Sequence, residues 1–358
     1  MRKYYIDFIR VIAIILLIPF HTARIYDYYP FYIKGDESML LQLFAVLLSQ
    51  WRMPILFLVS GVGTYFLLRS RSNRAFLRDR LKRLLIPFIF AVLVIVPPQG
   101  YYAALSQGIL APGTSYWEYY PSFFTIDLSH IDGFTGTFTP AHMWFILFLV
   151  LFSLLGTGVF RWLQRQKNLL SAFAPSGLLY LLIIPIYATD LALAGTEFNP
   201  LYYFTFFLYG AWLVKEPELE RMIVKERTRL LILSIISMSA VLLYYGLHLT
   251  NGFTMPQAPL LLVQSVTAFS WIFAFIGYAK MYINKEHKWI TSLNNKAFTI
   301  YILHQTLIVI LGYYLHEMSM PMGIKFALIS ILTLIAIALL YKLVIKRFKL
   351  IRLLFGAK

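Results

Sequence analysis

The stretch Tyr4-Tyr5-Ile6-Asp7-Phe8-Ile9-Arg10-Val11-Ile12-Ala13-Ile14-Ile15-Leu16-Leu17-Ile18-Pro19-Phe20-His21 decides the fold class. It is long and apolar enough to read as a membrane helix, yet it holds an acid, an arginine and a histidine. Ionisable groups in hydrocarbon are costly, so they face a bundle interior and mark candidate working sites. Arg10 and His21 are eleven residues apart. That is close to three helical turns, so both project from one face, roughly 16 Å apart along the axis. Asp7 lies one turn before Arg10 on the same stripe. Such a stripe suits chemistry that begins on one side of a membrane and ends on the other.

Composition generalises the reading. Hydrophobic residues make up 59% of the 358-residue chain and charged residues 13%. A soluble protein could not cover that much apolar surface, so the fold expected is an all-α, polytopic membrane helix bundle. No small-residue cleavage site follows the first apolar run, which is therefore expected to remain as a span. The chain has no cysteine. Disulfides, metal thiolates and an acyl-cysteine intermediate are thereby excluded.

Ten apolar spans are expected, at about 5–25, 40–68, 84–105, 142–162, 177–193, 201–214, 230–249, 259–280, 295–315 and 323–345. The sixth is short. Positive charge alternates between their connections. Arg2 and Lys3, the 69–83 connection and the stretches near 161–167, 215–229, 280–296 and 342–358 are basic, whereas the opposite set holds only Arg24, Lys34 and Lys325. The positive-inside rule puts the basic set, and both termini, in the cytoplasm. The net charge of +16 is thus read as topology and contact with membrane lipids, not nucleic acid. Residues 1–358 are expected to form one transmembrane domain with no appended soluble part. Its long outer loop, 106–141, carries Tyr116, Trp117, Glu118, Tyr119, Tyr120, Phe123, Phe124, Asp127, His130 and Asp132. Rings beside carboxylates suit sugar faces; they equally suit an interfacial aromatic belt.

Pro19 removes a backbone hydrogen bond just before His21 and should kink the helix there. A neutral imidazole at a kink can take a proton from a hydroxyl, or simply bond a neighbouring helix. Arg52, in Gln50-Trp51-Arg52-Met53-Pro54, stands about 25 Å above Arg69, and His21 about 27 Å above Lys3, so the two are expected at one depth. An arginine there can hold a carboxylate or a developing oxyanion, pair with an acid, or snorkel outward. Ser60-Gly61-Val62-Gly63 lets the backbone approach a neighbour or a ligand. Arg80 and Arg83, before Pro87, share a face if the segment is α-helical, and suit phosphates as well as topology. His142 and Trp144 open the fourth span; Tyr301 and His304 lie in the ninth, His304 some 12 Å beyond Lys296. Each of these taken alone is also an ordinary packed polar residue. No phosphate-binding Gly-Lys loop, zinc-protease His-Glu pair or nucleophile elbow occurs.

Taken in order, Asp7, Arg10 and His21, Ser60-Gly61, Arg80-x-x-Arg83 before Pro87, Trp144-Phe145 and Tyr301-x-x-His304 resemble the integral-membrane acyltransferase family often called acyltransferase-3. The resemblance covers nearly the whole chain. Four further segments are similar to members that succinylate periplasmic glucans: Ile18-Pro19-Phe20-His21 with Ile25-Tyr26, Arg52-Met53 before Val59-Ser60-Gly61, His142-x-Trp144-Phe145, and Leu353-Leu354-Phe355-Gly356. The resemblance implies a bacterial cytoplasmic (inner) membrane enzyme with a cytoplasmic acyl-coenzyme A donor, succinyl-CoA favoured and acetyl-CoA the alternative. It implies no metal, and an extracytoplasmic glucan or other glycan acceptor. Its catalytic residues would be His21, Arg10 and Asp7. Arg52, Ser60, Trp144, His142, His304 and Tyr301 would line the substrate, and Arg80 and Arg83 would bind the donor's phosphates. Two other readings remain beside a glucan succinyltransferase. One is an O-acetyltransferase of another surface polysaccharide or glycolipid. The other is a proton-coupled transporter, against which stands the lack of any internal repeat.

Overall fold

The computed structural model describes residues 3–127, 132–168, 170, 174–196 and 198–356; Arg2, His130 and Lys358 of the patterns above lie outside them. In hydrocarbon a segment must satisfy its own backbone, and only a helix does so within one segment. The described residues form helices and no strand. Ten helices account for the expected spans: α1 (Tyr4–Ala23), α2 (Met39–Arg69), α3 (Asn73–Ser106), α4 (Ala141–Arg165), α5 (Ser176–Ala192), α6 (Pro200–Lys215), α7 (Pro217–Asn251), α8 (Gln257–Tyr282), α9 (Lys288–Leu315) and α10 (Met322–Ile345). All but α5 and α6 are long and apolar enough to cross a membrane, so eight of the ten expected spans have that length among the described residues.

α1 and α7 differ from the expected outline for local reasons, and α3 begins at Asn73, within the basic stretch expected as a connection. α1 breaks at Leu16, between Tyr4–Ile15 and Leu17–Ala23. The cause is still Pro19, but its missing N–H is the one that would bond the carbonyl of Ile15, so the break falls a turn before the ring. α7 is 35 residues long and absorbs the basic stretch expected as a connection. Glu218–Arg221 and Glu226–Arg229 pairs at i,i+3 support that added part, and Pro217 starts it.

The helices are organised in two compact units. The first comprises residues up to Ala13, Val46–Asp79 and Leu151–Asn294; the second comprises Ile14–Ala45, Arg80–Val150 and the residues from Asn295 onward. In the first, α2 and α6 cross with backbones touching. A Cβ on Gly61 would stand 1.9 Å from the carbonyl oxygen of Phe207, and one on Gly210 would stand 1.9 Å from that of Leu58. Small residues are what allow such a crossing. Phe57, Phe152, Tyr203, Phe204 and Phe207 fill the space beside it with rings 4.9–6.1 Å apart. In the second unit Tyr301, Ile302, His304, Ile308 and Val309 of α9 are buried.

Candidate active site

Within the second unit three histidines from three helices meet. The ring of His304 on α9 lies 5.1 Å from that of His21 on α1 and 5.1 Å from that of His142 at the start of α4. His304 is fully buried and His142 nearly so, while His21 is half-buried. Nδ1 of His304 faces the carbonyl oxygens of Tyr301 at 2.7 Å and Ile300 at 3.2 Å. Carbonyls only accept, so Nδ1 carries the hydrogen, and in the neutral form of the ring the lone pair lies on Nε2. Nε2 of His142 donates to the carbonyl of Ile302 at 3.0 Å by the same logic, and its lone pair is on Nδ1. Two imidazoles are thus pinned in known tautomers by the backbone of α9. His21 sits against them, its ring stacked on Phe31 at 6.1 Å and edged by Phe20 at 4.9 Å. No trio of His, Asp or Glu among the described residues is placed to hold a metal ion.

A clamp holds this arrangement. The hydroxyl of Tyr301 donates to the carbonyl of His142, while His142 returns a bond to α9. Ala141, just before His142, has φ +46°, an unfavourable conformation for a residue with a Cβ. The neighbouring residues on α9 extend a buried polar chain: Gln305 Nε2 donates to Gln99 Oε1 at 2.9 Å, Gln99 Nε2 to Thr306 Oγ1 at 2.7 Å, and Thr306 Oγ1 to the carbonyl of Ile95 at 2.7 Å. That last carbonyl ends a π-helical turn, Ala91–Ile95, in α3. π turns free backbone groups and recur at functional sites. Gln99, Gln305 and Thr306 were not singled out from the sequence. Their signal was there: neutral hydrogen-bonding side chains inside apolar runs, two of them directly following His304 as Gln305-Thr306.

The first unit holds Asp7 and Arg10, joined by a residue the sequence reading passed over. Asn294 of α9 accepts from Arg10 Nη1 at 3.4 Å and donates to Asp7 Oδ1 at 3.1 Å. Gly63 faces the same guanidinium, since a Cβ there would lie 3.8 Å from Arg10 Nη2. Beside this, Glu220 of α7 gathers Lys3, Tyr5 and Lys280. Arg52 is buried in α2, at 3% exposure, in this unit. Ser60 donates its hydroxyl hydrogen back to its own helix, to Leu56 O at 2.7 Å.

Arg80, Arg83 and Trp144 belong to the second unit. The step from Arg80 to Arg83 enters a π-helical turn, Leu81–Leu85, so the α-helical spacing assumed for the pair does not hold. Trp144 packs edge-on against Phe148 at 5.4 Å. After α1 the chain folds over Asp27, which is fully buried and bound by Arg24 at 2.6 Å and Lys34 at 3.2 Å. Burial pushes the Asp27 carboxyl up and the Lys34 ammonium down, against the attraction between them.

Residues 3–342 match the sequence profile of the acyltransferase domain family, type 3. The chain belongs to the acyltransferase-3 family. The match spans the site residues above, from Asp7 to His304, and makes the protein a polytopic membrane acyltransferase that takes an acyl donor. Similar curated relatives from Salmonella paratyphi B, Salmonella dublin and Salmonella enteritidis are each named glucans biosynthesis protein C. Each is 23% identical over 385 aligned residues, which cover 100% of this chain and 95% of the relative. No solved structure matches the chain.

Proposed function

We propose that this acyltransferase moves an acyl group, succinyl by preference, from cytoplasmic acyl-coenzyme A to a hydroxyl of an extracytoplasmic glucan, with His21 as general base. The observation that carries this reading is the meeting of His21, His304 and His142 at ring separations of 5.1 Å in a chain of this family. The glucan acceptor rests on the names of the relatives.

In the proposed step His21 takes the hydroxyl proton as the sugar oxygen attacks the thioester carbonyl. The new C–O bond forms, the C–S bond breaks, and coenzyme A leaves as the thiol once the proton is returned. His304, with its lone pair on Nε2, offers an acceptor to an N–H of His21 and so fixes the tautomer that works as a base. Tyr301 and His142 hold His304 in place, and Trp144 and Ser60 line the substrate path. The phosphates of coenzyme A suit Arg80, Arg83 and Arg10, the last kept oriented by Asp7 and Asn294. Arg52 is the partner assigned to the succinyl carboxylate. The enzyme would work in a bacterial cytoplasmic membrane, with no metal.

The test is release of free thiol by purified protein from a panel of acyl-coenzyme A donors, with glucan present. Succinyl-coenzyme A should be the best donor. Preference for acetyl-coenzyme A would make the protein an O-acetyltransferase, and no release from any donor would overturn the donor assignment.

A further inference from the structure

A cleft of about 470 Å³ opens on the first unit, lined by Asn73, Gly158, Arg161, Trp162, Gln164 and Arg165. Arg161 is held there by neutral acceptors. Its Nε donates to Asn73 Oδ1 at 2.7 Å, its Nη1 to Gln164 Oε1 at 3.4 Å and its Nη2 to the carbonyl of Arg71. A guanidinium has five N–H donors, so two remain for a ligand. Arg165, one turn further along α4, makes no ion pair among the described residues. Asp79, on α3, pairs with Arg71 at 3.1 Å. The cleft therefore presents two positive charges with no carboxylate among its lining residues, one already fixed in orientation.

The surface leading into the cleft is of the opposite character. Leu151, Leu155 and Trp162 follow at helical spacing on α4 and are 42%, 69% and 58% exposed. Between them a Cβ on Gly158 would meet nothing within 4 Å, so the glycine opens a furrow in the stripe. An exposed apolar stripe belongs in acyl chains, a tryptophan belongs at the headgroup boundary, and arginines beyond it meet phosphate. We infer that this cleft binds the phosphate headgroup of an anionic phospholipid, with an acyl chain laid along Leu151, Leu155 and Gly158. The stripe is what selects a lipid over a free phosphate ester. The basic connections put this end of α4 at the cytoplasmic leaflet.

The test uses the full chain in neutral detergent, with lipid binding read by native mass spectrometry and by melting temperature. It does not depend on acyl transfer. Phosphatidylglycerol should bind in preference to phosphatidylcholine of the same chains. Arg165→Gln should weaken phosphatidylglycerol binding about fivefold, the loss of one cation near a charged headgroup. Gly158→Leu, whose side chain enters open space and leaves the fold intact, should weaken it through the chain alone. Arg161 is left unaltered because it ties Asn73 and Arg71 to α4. Equal binding of the two lipids, or parental binding by both variants, would overturn the inference. So would inorganic phosphate giving the same shift as the lipid with Gly158→Leu indifferent, since the site would then be one for free phosphate.

Discussion

α1 and α9 meet in two places, and the two are built differently. Near the start of both helices, Asp7 and Arg10 of α1 are bridged by the amide of Asn294 of α9. Further along both helices, His21 of α1 lies against His304 of α9, among rings. The first is an acid and an arginine bridged by an amide that donates to the acid and accepts from the cation. It is suited to hold a shape. The second consists of imidazoles, two of them with an N–H on a backbone carbonyl and His21 set among aromatic rings. In the function proposed above, the first meeting of this helix pair holds a shape and the second handles the proton.

The largest expected effect is on the histidine side. His21→Ala should lower kcat by about 10²–10⁴ while the melting temperature stays near that of the parent. A similar loss of stability and activity together would make His21 a packing residue and dissolve the contrast. Next comes His304→Ala, expected to cost about tenfold to a hundredfold in kcat with little change in KM for the donor, as for the loss of a neighbouring ring that positions the base. On the amide side, Asn294→Ala should behave in the opposite way. It leaves Asp7 and Arg10 without their bridge, so we expect about 1–3 kcal/mol of lost stability and a raised KM for acyl-coenzyme A, with kcat much less affected. If Asn294→Ala lowered kcat as far as His304→Ala, the division of labour would fail.

The smallest effect lies outside both clusters and calibrates them. Glu118 caps the one-turn helix Tyr116–Tyr119 by accepting from the backbone N–H of Ser115 at 2.7 Å. That bond holds its carboxyl below the ordinary 4.5. A depressed acid adds stability that is present above its unfolded value and is lost as pH falls through the folded one. The fluorine resonance of 5-fluorotryptophan at position 117 should therefore titrate with a midpoint below 4.5, and Glu118→Gln should abolish the transition. A midpoint at or above that value would remove the cap.

Much of this architecture was legible because hydropathy and charge alternation act over whole helices. The first span, its acid, arginine and histidine, and the break caused by Pro19 all follow from local sequence. The boundary of α7 did not, because a charged amphipathic segment looks like a connection until its i,i+3 pairs are seen to continue the helix. In the site, His21, His142 and His304 were each marked by their charge type, but their meeting depends on three helices far apart in the chain. Asn294, Gln99 and Thr306 escaped because a search for ionisable groups passes over neutral amides and hydroxyls. Inside hydrocarbon these bond just as obligatorily. The pairing of Arg80 with Arg83 was drawn on an α-helical wheel, and the π turn at Leu81–Leu85 changes that wheel.

The central claim is that His21 takes the proton as the acyl group moves. The most direct test follows both products in one reaction, free coenzyme A and ester on the glucan, with succinyl-coenzyme A and either the parent or a His21→Ala protein of matched melting temperature. The account predicts equal amounts of thiol and ester from the parent and neither from the variant. Ester formation at the parental rate by folded His21→Ala would contradict it.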